Sequence, residues 1–480
     1  MIQTGFNKEQ IINRLRFDNV WWRSNSVDEY FDKMFHRLYL SKFYSLLVDN
    51  SIRRGLILMG PRRVGKTVMI YHSIKRLIAE GVNPRKIVYI SVETPIYNRI
   101  SLEELFRLSC EAVGNDSDTD GYYVFFDEIQ YLKNWEVHFK SLIDTYRNTK
   151  FIASGSAAAA LKMKSIESGA GRFTDFYLPP LLFCEYLHLM NLNHLIIPSD
   201  IEINEGLHIK HGTIDINELN NHFIDYLNFG GYPEVVLSER IRGNPGQFIR
   251  HDIIDKVLLR DLPSIYGISD VQELNSFFSV IAYHSGNEFS FEKLSKISGV
   301  RKETLRKYIE YLEAAFLIKL LNKVDINAKH FQRINTFKIY LTNPSLRSAL
   351  FEPLQSTDDN IGSMVETAVF SQLFPRGDNL LRYANWKLGR SQGEVDIVRL
   401  NAANQKPLSV TEIKWSNRYY ENINELKSLM SFMENNNLST GTVTTINKQG
   451  VAEYNKRTLH FLPTSILVYN LGADTLNTYL

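Results

Sequence analysis

Apolar residues in the first third of the chain fall in short unbroken runs, separated by stretches with helical spacing. Leu56–Met59 is one such run. From Lys66 to Ala79 the apolar positions Ile70, Ile74, Leu77 and Ile78 recur every three to four residues, which predicts a helix. Lys86–Val92 is rich in β-formers, Leu102–Ala112 reads as a helix, and Tyr122–Phe126 places five β-forming residues in a row. Trp135–Tyr146 reads as a helix and Phe151–Ala153 opens another strand. Apolar runs without alternation, spaced by helices, indicate strands buried on both faces of a parallel sheet, hence an α/β fold.

The pattern changes further along. Residues 1–50 read as a few helices with aromatic faces (Trp21, Trp22, Phe31, Phe35, Tyr39), which are given a packing role. From Pro179 to about Ile281 helices dominate, and the polar, irregular stretch Asn191–Asn221 reads as an insertion. Residues 287–342 have the look of a winged helix-turn-helix. After about Asn360 come a helix, several strands, a second helix and two more strands. No internal repeat is found. The biased segments are the acidic loop Asn115–Asp120 and the run Ala157–Ala160.

With 480 residues the chain exceeds what one hydrophobic core supports, so two or three domains are expected. The Lys plus Arg count exceeds Asp plus Glu by 55 − 53 = 2, so nucleic-acid contact would need a local basic patch. Cys110 and Cys184 are too few for a disulfide framework or a Cys-based zinc site. The N-terminus lacks the apolar core of a signal peptide. The most apolar stretch, Tyr177–Met190, contains Pro179, Pro180 and Glu185 and is shorter than the roughly 20 residues of a membrane span. A cytoplasmic protein without membrane contact is expected.

Chemistry enters at Gly60-Pro61-Arg62-Arg63-Val64-Gly65-Lys66-Thr67, between a predicted strand and a predicted helix. This is the phosphate-binding P-loop pattern in its required setting. Glycines let the backbone curl so that N–H groups, through Val68, face phosphates at a helix N-terminus. Lys66 would reach the β- and γ-phosphates of ATP and Thr67 would coordinate Mg²⁺. The strand Tyr123–Phe126 then runs into Asp127 and Glu128. There Asp127 would stand beside Mg²⁺ and Glu128 would polarise the attacking water. Ser154 and Ser156, at the tip of the next strand, are candidates to sense the γ-phosphate. The alternative is an ordinary turn.

The stretches GPRRVGKT, FFDEIQYLKNWEVHFKSLID, ASGSA and GAGRFTDFYLPPLLFCEYL resemble bacterial and archaeal AAA+ ATPases whose C-terminal half is a DUF4143 domain. NFGGYPEVV (228–236), LLRDLPSIYGISD (258–270), GSMVETAVFSQL (362–373) and GEVDIV (393–398) extend the likeness over about residues 30–470. Two departures stand out. SGSAAAAL lacks the second hydroxyl residue usual after the Ser, and the segment 191–222 is longer and more irregular. The resemblance implies an AAA+ core, a winged-helix segment and a PD-(D/E)xK nuclease-like C-terminal fold. The expected division is an N-terminal helical segment 1–50, ATPase core 51–190, helical region 191–285, winged helix-turn-helix 286–345 and nuclease-like domain 360–480. It also implies a homo-oligomer in which a neighbour supplies an arginine finger. Arg172 and Arg260 are the candidates, ahead of Arg62 and Arg63, with local pairing of Arg260 to Asp261 or Asp255 as the alternative.

Two further constellations carry chemistry. In the helix-turn-helix, Leu305, Tyr308, Ile309 and Leu312 form a buried stripe, while Arg301, Lys302, Arg306 and Lys307 would face outward toward DNA or merely be solvated. In the C-terminal part, Glu366 lies on a predicted helix, Asp396 on one strand, and Glu412 and Lys414 two apart on the next. Two carboxylates and a lysine on adjacent strands suit a Mg²⁺-dependent nuclease, with Glu366 completing the shell. The competing expectation is a nuclease-like scaffold with its charges paired, acting as an ATP-gated adaptor for a protein partner.

Overall fold

The computed structural model describes residues 7–98, 100–115, 119–156, 171–204, 207–328, 336–377, 379–388 and 391–478. The Ala157–Ala160 run lies outside these residues. The chain forms two compact units, Met1–Pro179 and Pro180–Tyr479.

The first unit is built on five parallel strands: β1 (Gly55–Met59), β2 (Ile87–Ser91), β3 (Tyr123–Asp127), β4 (Lys150–Gly155) and β5 (Phe173–Tyr177). Their spatial order is β2-β3-β4-β1-β5. Leu56, Ile57 and Leu58 are all buried, as a strand covered on both faces requires. Helices Lys66–Ala79, Leu102–Ala112 and Trp135–Thr145 occupy the expected positions. The edge strand β5 gives a weaker sequence signal because Thr174 and Asp175 interrupt its apolar residues. With β4 between β1 and β3, the tip of β4 is flanked by the chain leaving β1 and by Asp127.

The N-terminal segment is anchored by polar as well as apolar contacts. The indoles of Trp21 and Trp22 both donate to Ile87 O, at 2.9 and 2.8 Å. Asn19 donates to Tyr89 O (2.9 Å) and accepts from Tyr89 N (2.6 Å). Phe31 stacks on Tyr71 with centroids 3.8 Å apart. Phe35 departs from the expected packing role: it is exposed.

In the second unit the stretch expected to be irregular contains an antiparallel hairpin, β6 (Ile196–Asn204) and β7 (Leu207–Thr213). Its Ile201, Ile203, Leu207 and Ile209 supply apolar packing, but register shifts break the alternation that would have announced it. Strands β8 (Glu288–Ser290), β9 (Ile318–Val324) and β10 (Thr336–Leu341) follow. They continue into β11 (Leu381–Leu388), β12 (Ser391–Leu400), β13 (Pro407–Glu412), β14 (Thr440–Thr445), β15 (Gly450–Tyr454) and β16 (Arg457–Pro463). All nine form one sheet, ordered β15-β16-β14-β13-β12-β11-β9-β10-β8. The helix-turn-helix strands and the C-terminal strands are therefore joined, through the parallel pairing of β9 with β11.

Strand alternation sorts this unit's core onto two faces. Tyr383, Ile397 and Leu462 pack in one cluster while their neighbours Ala384, Val398 and Phe461 pack in the other. The helices Ile361–Leu373 and Thr464–Thr478 belong to the first cluster and Lys427–Asn435 to the second. Opposite β11, the pairs Arg382↔Val398 and Ala384↔Val395 leave an extra residue on β12. Such a bulge re-aims side chains, and here it contains Asp396 and Ile397.

Candidate functional site

Strand β1 ends at Met59 and the chain turns at Gly60. A Cβ there would lie 2.2 Å from Leu178 O, so only glycine lets the turn approach the end of β5 this closely. Gly65 has φ +94°, the left-handed conformation glycine adopts without strain, and the helix Lys66–Ala79 starts directly after it. The first bond of its ladder runs from Met69 N to Gly65 O (2.9 Å). The N–H groups of Lys66, Thr67 and Val68 lie ahead of that ladder, where a helix end favours an anion. Lys66 is buried, and its Nζ donates to Gly60 O (3.1 Å) and Pro61 O (2.9 Å). The ammonium thus sits inside the curl made by Gly60, Pro61, Arg62, Arg63 and Val64.

Asp127 closes β3 and collects four donors. Its Oδ2 accepts from Thr67 Oγ1 at 2.8 Å and from Tyr89 OH at 2.9 Å. Its Oδ1 accepts from Ser154 Oγ and from Glu128 N (3.2 Å). Glu128 holds a left-handed backbone, φ 54°, a cost that a β-carbon residue bears only where its surroundings enforce it. Its carboxylate accepts from Gln130 Nε2. Burial pushes the Glu128 carboxyl up from its ordinary value, Lys66 opposes this, and the Asp127 charge adds to it. Gln130 Oε1 in turn accepts from Ser156 N at 3.4 Å. Ser156 Oγ is buried and has no partner among the described residues. An orphaned hydroxyl and a helix end beside a carboxylate pair fit a phosphate–magnesium group.

Three residues here escaped the sequence reading. Arg37 is buried and donates to Val64 O (2.5 Å) and Pro179 O (3.0 Å), pinning the P-loop from the N-terminal segment. Tyr89 and Gln130 position the two acids. A lone arginine ahead of Tyr39 gave no signal; Gln130, two residues past Glu128, sat in plain view of it.

The other candidates are dispersed. Arg172 is exposed, its Nε 2.8 Å from Asp144 Oδ1, and its carbonyl accepts from Gly55 N, at the end of β1 opposite the P-loop. Arg260, in the second unit, is exposed, and Asp255 pairs with His251 instead (2.9 Å). In the helix-turn-helix, Phe291–Ser298 ends at Gly299 (φ +76°) and Lys302–Ala314 follows. Leu305, Tyr308, Ile309 and Leu312 are buried as expected. Lys302 pairs with Glu292 (2.8 Å) and Arg306 lies 5.0 Å above the Phe291 ring. Arg301 and Lys307 are exposed.

The C-terminal carboxylates do converge. Lys414 Nζ lies 2.7 Å from Glu412 Oε1 and 3.6 Å from Asp396 Oδ2. A second lysine, Lys338 on β10, was not anticipated. Its Nζ lies 2.6 Å from Glu394 Oε1, 2.9 Å from Glu366 Oε1 and 3.7 Å from Asp396 Oδ1. Tyr340 OH donates to Glu366 Oε1 at 2.5 Å, and Ile413 N to Asp396 Oδ2 at 2.8 Å. Glu412 Oε2 is buried without a partner among the described residues. Burial pushes the Glu366 and Glu412 carboxyls up, Glu412 to about 8. The expected metal set is Glu366, Asp396 and Glu412, and the structure brings Glu366 and Asp396 to Lys338 and Asp396 and Glu412 to Lys414. Among the described residues no group of three or more His, Cys, Asp or Glu side chains is arranged to hold a metal ion. Beside Lys414, which the pattern includes, a further ammonium group, that of Lys338, stands among these carboxylates. The clue was a lysine in the middle of Thr336-Phe-Lys-Ile-Tyr-Leu341, where a strand facing a buried helix calls for an apolar residue.

Comparison with known proteins agrees with the first unit's architecture. Residues 53–187 match a family model described as an AAA domain, so the first unit carries an AAA-type ATPase fold. Residues 220–358 match one described as a domain of unknown function, DUF8612, where the sequence motifs resemble DUF4143. An uncharacterised protein of Methanocaldococcus jannaschii, MJ1544, is 26% identical over 336 residues, spanning 69% of this chain and 68% of that protein. An uncharacterised protein of Haemophilus influenzae is 23% identical over 384 residues, spanning 79% of this chain and 86% of that protein. Among solved structures, the Aeropyrum pernix ORC1 protein in complex with DNA aligns with 69% of this chain and 96% of its own, at 12% identity and a TM-score of 0.31. No helix among the described residues is long and apolar enough to cross a membrane.

Proposed function

We propose that the first unit binds ATP·Mg²⁺ and hydrolyses the nucleotide, and that the chain works as a nucleotide-driven switch. The observation that carries this reading is the hydrogen bond from Thr67 to Asp127, which brings the end of the P-loop against the acidic strand tip. The loop Gly60–Val68 would cradle the phosphates, with Lys66 neutralising them. Thr67 and Asp127 would hold Mg²⁺, which supplies charge neutralisation at the phosphate oxygens. Glu128 would orient water, with Gln130 steadying its carboxylate. Ser154 acts on Asp127, whereas the orphaned Ser156 hydroxyl is the better candidate for direct phosphate contact. In a homo-oligomer, Arg260 suits a finger better than Arg172, which Asp144 already holds. Magnesium-dependent release of phosphate from ATP tests the reading. No release above that of Lys66→Ala protein would overturn it.

For the second unit we favour a nuclease-like scaffold, of the kind the DUF4143 resemblance implies, that serves as an adaptor to a protein partner. The additional ammonium group of Lys338 among the carboxylates supports this reading over cleavage. A magnesium-dependent nicking assay on plasmid and single-stranded DNA tests it, and cleavage lost in Asp396→Ala would overturn the idle assignment. The segment 286–345 would act as a winged helix-turn-helix touching DNA through Arg301 and Lys307, since the equally exposed Lys302 and Arg306 are engaged by Glu292 and the Phe291 ring.

A further inference from the structure

Four carboxylates meet in the second unit, from Glu366, Glu394, Asp396 and Glu412, against two ammonium groups, from Lys338 and Lys414. Lys414 is on the rim, its side chain 26% exposed, whereas that of Lys338 is 3% exposed. Lys338 touches carboxylates from a helix and a strand at once, Glu366 on Ile361–Leu373 and both Glu394 and Asp396 on β12. That is the position a metal ion takes among convergent acids: central, buried and shared. The neighbourhood enforces it. Lys338 stands on β10 between β9 and β8, paired in register with Leu321 and Glu288. Tyr340, two residues on, fixes Glu366 by a hydrogen bond to the same oxygen that faces Lys338. The Tyr383 ring lies 5.4 Å from Nζ on another side. A side chain so enclosed cannot swing into solvent without moving its strand.

We propose that Lys338 is a built-in cation that fills the centre of the carboxylate site and excludes a divalent metal ion. The inference rests on reading the second unit as a nuclease-like scaffold, and it explains why that scaffold would be idle. An ammonium neutralises one charge and brings no open coordination position. A divalent ion in its place would neutralise two and draw on the oxygens of Glu366, Glu394 and Asp396 that Lys338 now faces. Both cations cannot occupy the same carboxylate oxygens, so metal affinity is set by how firmly β10 holds Lys338.

The test is calorimetric titration of the full chain with Mn²⁺, comparing the parent with Lys338→Met and Lys338→Gln. ATP is left out so that the first unit contributes equally to each titration. The substitutions should raise affinity at least tenfold, and adding Asp396→Ala should remove the gain. Equal Mn²⁺ affinity in parent and variants overturns the proposal. If the variants fold only with Mn²⁺ present, that rescue supports it, because an ion bound to the folded form alone stabilises that form. Variants that stay unfolded at saturating Mn²⁺ overturn it. The idle-scaffold reading fails separately, if parent protein cleaves DNA in a way that Asp396→Ala abolishes.

Discussion

The Thr67 hydroxyl donates to the Asp127 carboxylate across 2.8 Å, joining residues sixty positions apart in the chain. One lies at the first turn of a helix and the other at the last position of a buried strand. That joint makes one site of two motifs, with the Lys66 ammonium held in the same loop. Lys66→Ala should abolish the rise in melting temperature that ATP·Mg²⁺ gives the parent. A full-sized shift in the variant would mean that nucleotide binds elsewhere.

Glu128 is the poorer fit to its backbone and the better candidate for chemistry. Its backbone is left-handed, and Gln130 donates to its carboxylate. Glu128→Gln keeps the size of the side chain and removes the group that takes up charge. Nucleotide affinity should persist while turnover falls by about 10²–10⁴. Turnover equal to the parent in a steady-state phosphate-release assay would assign the work to another residue.

Arg37 should matter out of proportion to its distance in sequence from the P-loop. It donates to Val64 O and Pro179 O from a buried position. Arg37→Ala bares two backbone carbonyls that no water reaches easily, at about 1–3 kcal/mol for an unmade buried bond. Thermal denaturation should show a lower melting temperature, and the Michaelis constant for ATP should rise because Val64 is no longer pinned. Parent-like values of both would make the contact incidental.

What could be read from the sequence and what could not have separate physical causes. The helix Lys66–Ala79 and strand β3 announce themselves because local spacing and burial agree. That Thr67 and Asp127 would meet was legible because a P-loop and an acid at a strand end occupy set places on a parallel sheet. Arg37, Tyr89 and Lys338 were not, since each acts through contacts between elements far apart in sequence. Lys338 also reverses the usual rule, because a lysine inside a strand ordinarily marks an exposed face. The β6–β7 hairpin was hidden by its register shifts, and Asp396 owes its aim to a bulge that no periodicity predicts.

The exposed pair Arg301 and Lys307 offers a quantitative check on DNA contact. Lys302 is engaged by Glu292 and Arg306 by the Phe291 ring, so these two should matter less. If Arg301 and Lys307 meet phosphates, each substitution to Ala should weaken DNA binding and reduce the slope of log affinity against log salt by about 1. Fluorescence anisotropy with a labelled duplex at several salt concentrations measures this. An unchanged slope in the double variant would remove DNA from this face.

The buried acids make stability depend on pH in a direction opposite to ordinary acid unfolding. Burial pushes the Glu412 carboxyl up to about 8, the Asp396 charge adds to the effect, and Lys414 opposes it. In the unfolded chain the same group ionises near its ordinary value of 4.5. Between these two values the folded protein keeps a proton that the unfolded chain has released. Folding therefore binds protons there, and this group's contribution falls as the pH rises through that window, by at most about 1.4 kcal/mol per pH unit. Above about 8 the loss is complete. His72 in the first unit has the opposite sign: burial lowers it to about 4, so its contribution is present above its ordinary 6.5 and lost as the pH falls toward 4. A raw melting curve would mix the two. The difference between parent and Glu412→Gln isolates the acid, because glutamine carries no titrating proton and every other group is shared. That difference should move in favour of the variant as the pH rises from 5 to 8 and be flat above it. A difference independent of pH over that range would mean that Glu412 is ionised throughout, held by Lys414 alone.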